Sequence, residues 1–332
     1  DPYLGDRRLT ASSPSKTASA TGGEIGAYGN GGDAPVFDPV YSTTPTTSGS
    51  LTQNERWSGE VVLTGSVTVA RPWRLDIEPG TVIKMPPNAS LIVDSVSSIV
   101  GTAHQPIVFE ALFAGSQWNG IVLSASASGS AIKHARMSGA STCISVYGPV
   151  HEISRNLISG CANGVMVYDG SPRIENNLIV ENSGYGIYSN SSAAPRIRYN
   201  TIDLNGSEGV YFYSPSASLV FENNIVTRNR TGLYAYAGSD FTRGYNNVWG
   251  NGTDRTYGHG SYTYIVTPKT TEQSIDPQYS DNDRHLAANS PSKAASSDGT
   301  ELGAYGGRMI LPMPSVTPVL RPPPKRKLPY PG

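Results

Sequence analysis

Short alternating runs of apolar and polar residues, separated by Gly, Asn and Ser, extend along most of the chain. Val165-Met166-Val167 and Ile187-Tyr188-Ser189 are typical, and turn-forming residues follow each of them within a few positions. Alternation of this kind predicts short β-strands with one buried face, because an amphipathic helix would instead place apolar residues three and four positions apart. The pattern therefore predicts strands joined by tight turns, with no helical segment.

The strand pattern repeats with a period of roughly 22 residues, a size typical of solenoid repeats. Four clear copies begin at residues 153, 174, 197 and 221 and read ISRNLISGCANGVMVYDG, IENNLIVENSGYGIYSN, IRYNTIDLNGSEGVYFYS and FENNIVTRNRTGLYAYAG. A shorter copy, GYNNVWGNGT, begins at residue 244. A single copy is too small to enclose a core, so the copies are expected to stack as successive turns of a coil.

Equivalent positions of the copies hold the same residue types and form three columns. One column is aliphatic and contains Ile158, Ile179, Ile202, Val226 and Val248. A second column is Asn156, Asn177, Asn200, Asn224 and Asn246, and a third is Asn182, Asn205, Asn229 and Asn251. With turns about 4.8 Å apart, the aliphatic column is expected to fill the interior and each Asn column to form a hydrogen-bonded ladder at a bend.

The Asn residues have two other interpretations. They could be ordinary loop residues, or glycosylation acceptors, since Asn205, Asn229 and Asn251 fit the N-x-S/T pattern. The internal ladder is favoured because all three columns keep the same register.

These repeats resemble those of right-handed parallel β-helix proteins, the broad group that includes pectate-lyase-like folds and carbohydrate-binding β-helix repeats. The resemblance covers roughly residues 56–260. Upstream, the segments 59–85, 91–111 and 118–137 are similar to the opening turns of secreted bacterial members. The resemblance implies an all-β, single-stranded right-handed parallel β-helix with short flanking end modules. It does not imply one activity, because this scaffold carries lyases, hydrolases, epimerases, adhesins and inert spacers.

The two ends of the chain contain copies of one segment. DPYLGDRRLTASSPSKTASATGGEIGAYG at 1–29 matches DPQYSDNDRHLAANSPSKAASSDGTELGAYG at 276–306, and the second resembles the segment that closes secreted bacterial β-helix proteins. A cap at the last turn is expected because that turn exposes unpaired strand edges. The N-terminal copy could end an upstream β-helix module, cover the first turn, or dock on a neighbouring subunit.

The chain is accordingly divided into an N-terminal end module (1–35), a linker (36–55), the β-helix (56–270), a C-terminal capping module (271–308) and a Pro-rich basic tail (309–332). The tail contains Lys325-Arg326-Lys327 and cannot build its own core. Residues 1–35 and 309–332 are the segments through which we expect a protein partner or self-assembly.

Composition narrows the class of protein. The 332 residues are 37% hydrophobic and 15% charged with a formal net charge of −1, which gives no reason to expect nucleic acid. No run is long enough to span a membrane, and the chain begins at Asp1 without Met. We expect a bacterial protein that is secreted, displayed at the cell surface or periplasmic, with no cofactor.

Cys143 and Cys161 fall near one bend of adjacent turns when the repeats are stacked. A disulfide between them would suit an oxidising compartment, and two buried free thiols are the alternative. Two residues at this separation do not indicate a metal site.

Catalytic chemistry has little support in the sequence. Glu175, Arg198 and Glu222 stack in one column, which reads as a surface ion-pair ladder of small energetic weight. Gly258-His259-Gly260 matches a polygalacturonase motif whose paired Asp motifs are missing upstream. Asp281-Asn282-Asp283 lacks the Gly and distal Glu of a calcium loop. We therefore assign no catalytic and no metal-binding residue.

Tyrosine supplies the candidate binding site. Val165, Ile187, Val210 and Leu233 are expected to point inward, so the residues that follow them point outward. The outward columns are Met166, Tyr188, Tyr211, Tyr234 and Tyr168, Asn190, Tyr213, Tyr236. The tyrosines in them predict an exposed strip that binds a protein or a sugar, or a ladder that only stabilises the sheet or is covered by the terminal segments.

Two functional hypotheses follow. The first is a secreted, non-catalytic structural or adhesive unit of a surface or extracellular assembly, acting through its end modules, its tail and the tyrosine strip. The second is a polysaccharide-binding or polysaccharide-degrading β-helix protein that uses the groove beside the same strip.

Overall fold

The structure is a computed structural model, and it describes residues 40–148, 151–237, 240–259, 262–265 and 268–307. The chain divides into two units, residues 1–40 and 41–332, and every described strand lies in the second. The N-terminal end module (1–35) and the tail (309–332) lie outside the described residues.

The described residues contain 29 strands and one short 3₁₀ helix, Ala125–Ala127. The first ten strands are β1 (Gly49–Ser50), β2 (Glu55–Trp57), β3 (Glu60–Val62), β4 (Val67–Val69), β5 (Leu75–Ile77), β6 (Val82–Met85), β7 (Ser90–Val93), β8 (Ser98–Val100), β9 (Ile107–Ala111) and β10 (Gly120–Leu123). The next ten are β11 (Ala131–Lys133), β12 (Ala135–Met137), β13 (Thr142–Val146), β14 (Glu152–Ser154), β15 (Leu157–Ser159), β16 (Asn163–Val167), β17 (Arg173–Glu175), β18 (Leu178–Val180), β19 (Ile187–Ser189) and β20 (Arg196–Arg198). The last nine are β21 (Thr201–Asp203), β22 (Glu208–Tyr213), β23 (Val220–Glu222), β24 (Ile225–Thr227), β25 (Thr231–Tyr236), β26 (Thr242–Gly244), β27 (Asn247–Trp249), β28 (Thr253–His259) and β29 (Tyr262–Ile265).

Three parallel sheets run the length of a right-handed coil. Every third strand from β2 to β26 forms sheet 1, every third strand from β3 to β27 forms sheet 2, and every third strand from β1 to β28 forms sheet 3. One strand from each sheet makes one turn, so β2 to β28 build nine turns. The parallel solenoid predicted from the repeats is confirmed. The last parallel strand of sheet 3, β28, pairs with β29 in the antiparallel direction.

On the turns that carry the Asn ladders, two of the three bends depend on one residue with left-handed backbone conformation. It immediately precedes the Asn of each ladder, as at Tyr199 (φ 52°) before Asn200 and Leu204 (φ 56°) before Asn205. A positive φ is unfavourable for residues with a side chain, so the neighbouring Asn bonds must stabilise it. The bend and the ladder are therefore parts of one local structure.

The Asn side chains at the bend between sheets 1 and 2 form a continuous hydrogen-bonded ladder. The Oδ1 atom of Asn200 accepts from both the backbone N–H and the Nδ2 of Asn177, each at 3.0 Å. In turn Asn200 donates from N (2.9 Å) and Nδ2 (3.1 Å) to Oδ1 of Asn224. Its Nδ2 also donates to the Ile174 carbonyl oxygen at 2.8 Å. Every amide proton and the carbonyl oxygen are thus satisfied in a site with no solvent contact.

A second ladder follows the same rule at the bend between sheets 2 and 3. Oδ1 of Asn229 accepts from N and Nδ2 of Asn205 at 2.9 Å, and Asn229 donates to Asn251 in the same way. Acidic residues close both ladders at the C-terminal end, because Asn246 donates to Glu272 and Asn251 to Asp254. Asn205 and Asn229 are buried, so neither is accessible to a glycosyltransferase.

A disulfide begins the second ladder. Cys161 occupies the Asn column and its backbone N–H donates to Oδ1 of Asn182, while its Sγ is bonded to that of Cys143 with the Cα atoms 6.0 Å apart. On later turns the position of Cys143 holds glycine, and a Cβ on Gly209 would lie 2.6 Å from Nδ2 of Asn229. The covalent bond therefore replaces a close Gly–Asn approach where the ladder starts.

The interior is apolar along its length and changes character at its C-terminal end. The predicted aliphatic column from Ile158 to Val248 is fully buried and in register. On sheet 3 the inward column passes from Val210 to Leu233 and then to Arg255, which is 2% exposed. Arg255 donates hydrogen bonds to the Val248 and Gln273 carbonyl oxygens. The apolar core therefore ends at a buried guanidinium group whose hydrogen bonds go to backbone carbonyl groups of the last turn.

The C-terminal module does more than cover the last turn. Gln273 pairs with Asn247 at the end of sheet 2, but residues 276–307 then run back along the outside of that sheet. Leu302 and Leu286 pack on Ile225, and further along the coil Ala304 packs with Leu157, Leu178 and Val180. The expected end cap is therefore mainly a side-docked module, because the outer face of sheet 2 is apolar on those turns.

The segment expected to be a linker also has a different role from Tyr41 onward. Ser42 bridges to Glu55, and β1 pairs in parallel with β4 of sheet 3. Glu55 is buried and accepts hydrogen bonds from Trp57 Nε1 and the Thr46 backbone N–H. These residues belong to the first turn of the solenoid, which lacks an Asn ladder and is held by this buried carboxylate instead.

Breaking one ladder should destabilise the whole coil. We expect Asn200→Ala to lower the free energy of unfolding by about 2–4 kcal/mol, because the Asn177 donors lose their acceptor in a dry site. Chemical denaturation followed by circular dichroism, with the wild-type chain measured in parallel, tests this. Asn289→Ala is the matched control, since Asn289 is exposed and should change stability by less than about 0.5 kcal/mol. Equal effects of the two substitutions would contradict a structural ladder.

Candidate functional site: the tyrosine surface

Tyrosines cover the outer face of sheet 3 on five adjacent turns. Register places Met166, Tyr188, Tyr211 and Tyr234 side by side, and Tyr213 beside Tyr236, as the alternation predicted. We call the following eight residues the tyrosine surface: Tyr147, Tyr168, Tyr185, Tyr188, Tyr211, Tyr213, Tyr234 and Tyr236.

The rings contact one another in an unbroken series. Tyr147 stacks on Tyr168 with centroids 4.8 Å apart, and Tyr168 reaches Tyr188 at 6.5 Å. From there the series passes through Tyr185 and Tyr211 to Tyr234, with centroid separations between 5.0 and 5.8 Å. Tyr213 and Tyr236 form a parallel pair beside it at 5.7 Å.

Two members of the surface, Tyr147 and Tyr185, were missed by sequence reasoning. Tyr147 follows β13 just as Tyr168 follows β16, but the turn at 142–148 is an imperfect copy of the repeat. Tyr185 lies before the glycine column, where the other copies hold Thr142, Asn163 and Glu208. Tyr147 lies 21 residues before Tyr168, which is one repeat period, and this spacing was the signal that could have found it.

Ring stacking changes what the surface exposes. Both pairs are near-parallel, with centroids 4.8 and 5.7 Å apart, which is an offset stack that covers part of one face of each ring. Tyr147 and Tyr213 are 42% and 41% exposed, whereas the other six are half-buried. The strip is thus less open than predicted, because most of its tyrosines are half-buried.

The centre of the surface is half-buried. Burial, followed by the neighbouring Tyr234, raises the pKa of Tyr211 to about 12. Burial also raises the pKa of Tyr168, Tyr185 and Tyr188. One carboxylate, Glu208, borders the centre and accepts a hydrogen bond from Ser207. The surface is therefore neutral at physiological pH except at this edge.

Gly258 is explained by the tyrosines beside it. It follows Tyr236 in register, and a Cβ there would lie 2.3 Å from the hydroxyl oxygen of Tyr234 and 2.9 Å from the ring of Tyr236. The glycine of the Gly258-His259-Gly260 motif therefore makes room for the last rings of the surface, which is a packing role.

The remaining charged candidates form ion pairs. Arg198 forms an ion pair with Glu222, as expected. Glu175 forms its ion pair with Arg196, whose Nε lies 3.7 Å from the Glu175 Oε1 atom. Asp281, the first residue of the Asp281-Asn282-Asp283 segment, accepts from His285 Nδ1 at 2.8 Å. Among the described residues, no group of three or more His, Cys, Asp or Glu side chains could hold a metal ion.

A cleft of about 640 Å³ lies between sheet 2 and the C-terminal module, and Arg228 and Arg284 are among the residues that line it. Both arginines bind the buried carboxylate of Asp203, which accepts from Arg228 Nε at 2.7 Å and from Arg284 Nε at 2.8 Å. Arg284 also bonds Glu181 at 2.9 Å. Sequence reasoning missed this cluster, although a charged residue where neighbouring turns hold Val180 and Thr227 was a usable signal. The cluster fastens the module to the coil.

Comparison with known proteins agrees with this geometry. Residues 99–252 match the family model described as the right handed beta helix region. The chain contains a right-handed β-helix domain. The match spans the β-helix turns that carry both Asn ladders and the tyrosine surface up to Tyr236. No curated protein and no solved structure matches the chain significantly. Separately, no helix within the described ranges is long and apolar enough to cross a membrane.

Ionisation of the tyrosine surface should be visible at high pH. An unfolded tyrosine releases its proton near pH 10, so the higher pKa of Tyr211 means that the folded β-helix binds more protons between pH 10 and 12. Stability is therefore expected to fall across this range. In Tyr211→Phe the fall should be smaller, with little change at pH 8 because ring stacking is kept. Thermal unfolding measured at pH 8, 10 and 11.5 tests this, and identical pH profiles would contradict the buried phenol.

Proposed function

We propose that this β-helix is a non-catalytic recognition unit of an extracellular or cell-surface assembly, and that it binds a protein partner through the tyrosine surface. The observation that carries the proposal is the unbroken series of tyrosines across five turns of one face. Tyrosine combines a large apolar body with a hydroxyl group and loses little side-chain entropy on binding, so it is enriched where proteins meet.

The stacking geometry supports a protein partner over a sugar chain. A sugar ring stacks on an open aromatic face, whereas the inner faces of the Tyr147–Tyr168 and Tyr213–Tyr236 pairs are occupied by their partners. Ring edges and a row of hydroxyl groups suit apolar contact and hydrogen bonding with another polypeptide. Since the rings already stack on one another, little ordering is left to oppose binding.

A polysaccharide is the second candidate ligand, and one observation favours it. Tyr147 and Tyr213 are the most exposed rings of the surface, at 42% and 41%, so each can present an outer face or edge to a sugar. Binding there would use two separate contacts instead of a continuous strip. A cleaving β-helix would need acid and base groups beside these rings.

Paired substitutions separate the candidates. We expect Tyr213→Ala with Tyr236→Ala to weaken partner-dependent or self-association of the full chain at least tenfold, because both rings of an exposed stacked pair are lost. Sedimentation velocity over a concentration series measures self-association, and affinity electrophoresis against a panel of acidic and neutral polysaccharides measures sugar binding. Tyr245→Ala is the control, since Tyr245 is 36% exposed at the bend between sheets 1 and 2.

The outcomes are distinct. Association lost in the double variant and kept in Tyr245→Ala supports the protein-contact role. A chain that stays monomeric at all concentrations but binds a polysaccharide through Tyr213 contradicts it and supports the second candidate. Products with ultraviolet absorbance, released from an acidic polysaccharide by the chain, would show lyase activity and contradict a non-catalytic role.

A further inference from the structure

The C-terminal module is held to the β-helix by a defined set of contacts. Arg284 binds the buried Asp203, and the backbone N–H of Ala304 donates to Thr201 Oγ1 at 2.9 Å. The Gly303 N–H donates to the Asn223 carbonyl oxygen at 3.0 Å, and Leu302 packs on Ile225. The receptor is therefore one patch of sheet 2 and its bend, with a Thr-x-Asp strand at its centre.

Gly303 shows that the fit is specific. Its φ is +83°, and a Cβ would lie 2.5 Å from Thr201 Oγ1 and 3.0 Å from the Ile225 Cδ1 atom. Both atoms belong to the β-helix and not to the module. A glycine is required here because the module approaches this receptor so closely.

The N-terminal segment retains the residues that make these contacts. From Arg7 and Arg284 to Gly29 and Gly306 the two segments align without a gap. Six of the module residues that touch the receptor are matched in order: Arg284 by Arg7, Leu286 by Leu9, Leu302 by Ile25, Gly303 by Gly26, Ala304 by Ala27 and Tyr305 by Tyr28. Ser297, whose hydroxyl and backbone N–H bond Asn223, is matched by Ala20, which keeps only the backbone donor. Gly26 is informative because the glycine it matches is required by the receptor surface.

The described β-helix offers one such receptor, and it is filled. Among the described strands of sheet 2, only β21 carries Thr and Asp at its two outward positions. The first three turns present Glu60 and Val62, Val82 and Lys84, and Val108 and Glu110 at the equivalent positions. The outward sheet-2 positions of those turns offer no buried carboxylate to an arginine.

We propose that residues 1–29 are a second docking module, and that they bind the outer sheet-2 face of another parallel β-helix. The surface they fit carries a Thr-x-Asp strand flanked by Leu or Ile on the adjacent turns and an Asn at the bend. Binding would join β-helices through a rigid side contact, which gives one partner class for the assembly role proposed above. It does not use the tyrosine surface, so the two proposals can fail independently.

The proposal can be tested with a variant whose C-terminal module no longer occupies the receptor. In the full chain, Gly303→Leu should release the C-terminal module because the new side chain meets Thr201 and Ile225. A fluorescent peptide of residues 1–29 should then bind this variant at least tenfold more tightly than it binds the wild-type chain, measured by fluorescence anisotropy. Adding Asp203→Asn to the variant should abolish the binding, as should Arg7→Ala in the peptide.

A graft covers the case in which Gly303→Leu does not fold. Residues 284–306 are replaced by the sequence of residues 7–29, which has the same length. The graft should unfold within about 3 °C of the wild-type chain and resist proteolysis of the module equally well. A second graft carrying alanine in place of Gly26 is the matched control, and it should lose that protection.

Two results would overturn the proposal. One is a peptide that does not bind the folded Gly303→Leu variant, or that binds equally after Asp203→Asn. The other is a graft that is cleaved as fast as its alanine control. Neither result depends on the tyrosines, so loss of the proposed tyrosine contact would leave this test unaffected.

Discussion

The asparagine ladders are the interaction on which the rest of this β-helix depends. Each Asn inside a ladder accepts two hydrogen bonds from the turn before it and donates two to the turn after it, so its amide group is fully paired. The same bonds hold the preceding residue in a left-handed conformation that a side chain disfavours. Bend, register and spacing are fixed together, because a one-residue slip would leave several buried amides without partners.

Fixed register is also what builds the tyrosine surface. Tyrosines on neighbouring turns can stack at 4.8 to 6.5 Å only if each turn places its ring over the previous one. The buried Asn ladders therefore fix the positions of the tyrosines on the outer face of sheet 3. A recognition face of this kind needs no loop and no induced fit, since its rings are positioned before a partner arrives.

Much of the fold was readable from the sequence because its determinants are periodic. The Asn columns, the aliphatic column and the outward tyrosines recur together every 21 to 24 residues, and stacking the copies places them correctly. Features that depart from the repeat could not be predicted from the sequence. Glu55 and Trp57 replace the ladder in the first turn, and Arg255 ends an aliphatic column with a charge. Nothing in the local pattern at these positions indicates a buried role.

Contacts between segments that are distant in sequence also could not be predicted. The side-docking of residues 276–307 depends on Asp203, which lies far away in sequence and looks like a surface residue of a repeat. The mutual stacking of the tyrosines likewise depends on ring orientation, which alternation does not specify. The sequence therefore predicted the positions of six of the eight tyrosines, but not how their rings stack on one another.

Native-state hydrogen exchange tests the central claim that the ladders are the cooperative spine of the β-helix. The backbone N–H groups of Asn156, Asn177, Asn200 and Asn224 donate to side chains at bends, where amides ordinarily exchange fast. The account predicts that they exchange as slowly as the strand amides of sheet 3 and lose protection together at the same denaturant concentration. Fast or independent exchange of these four amides would contradict it.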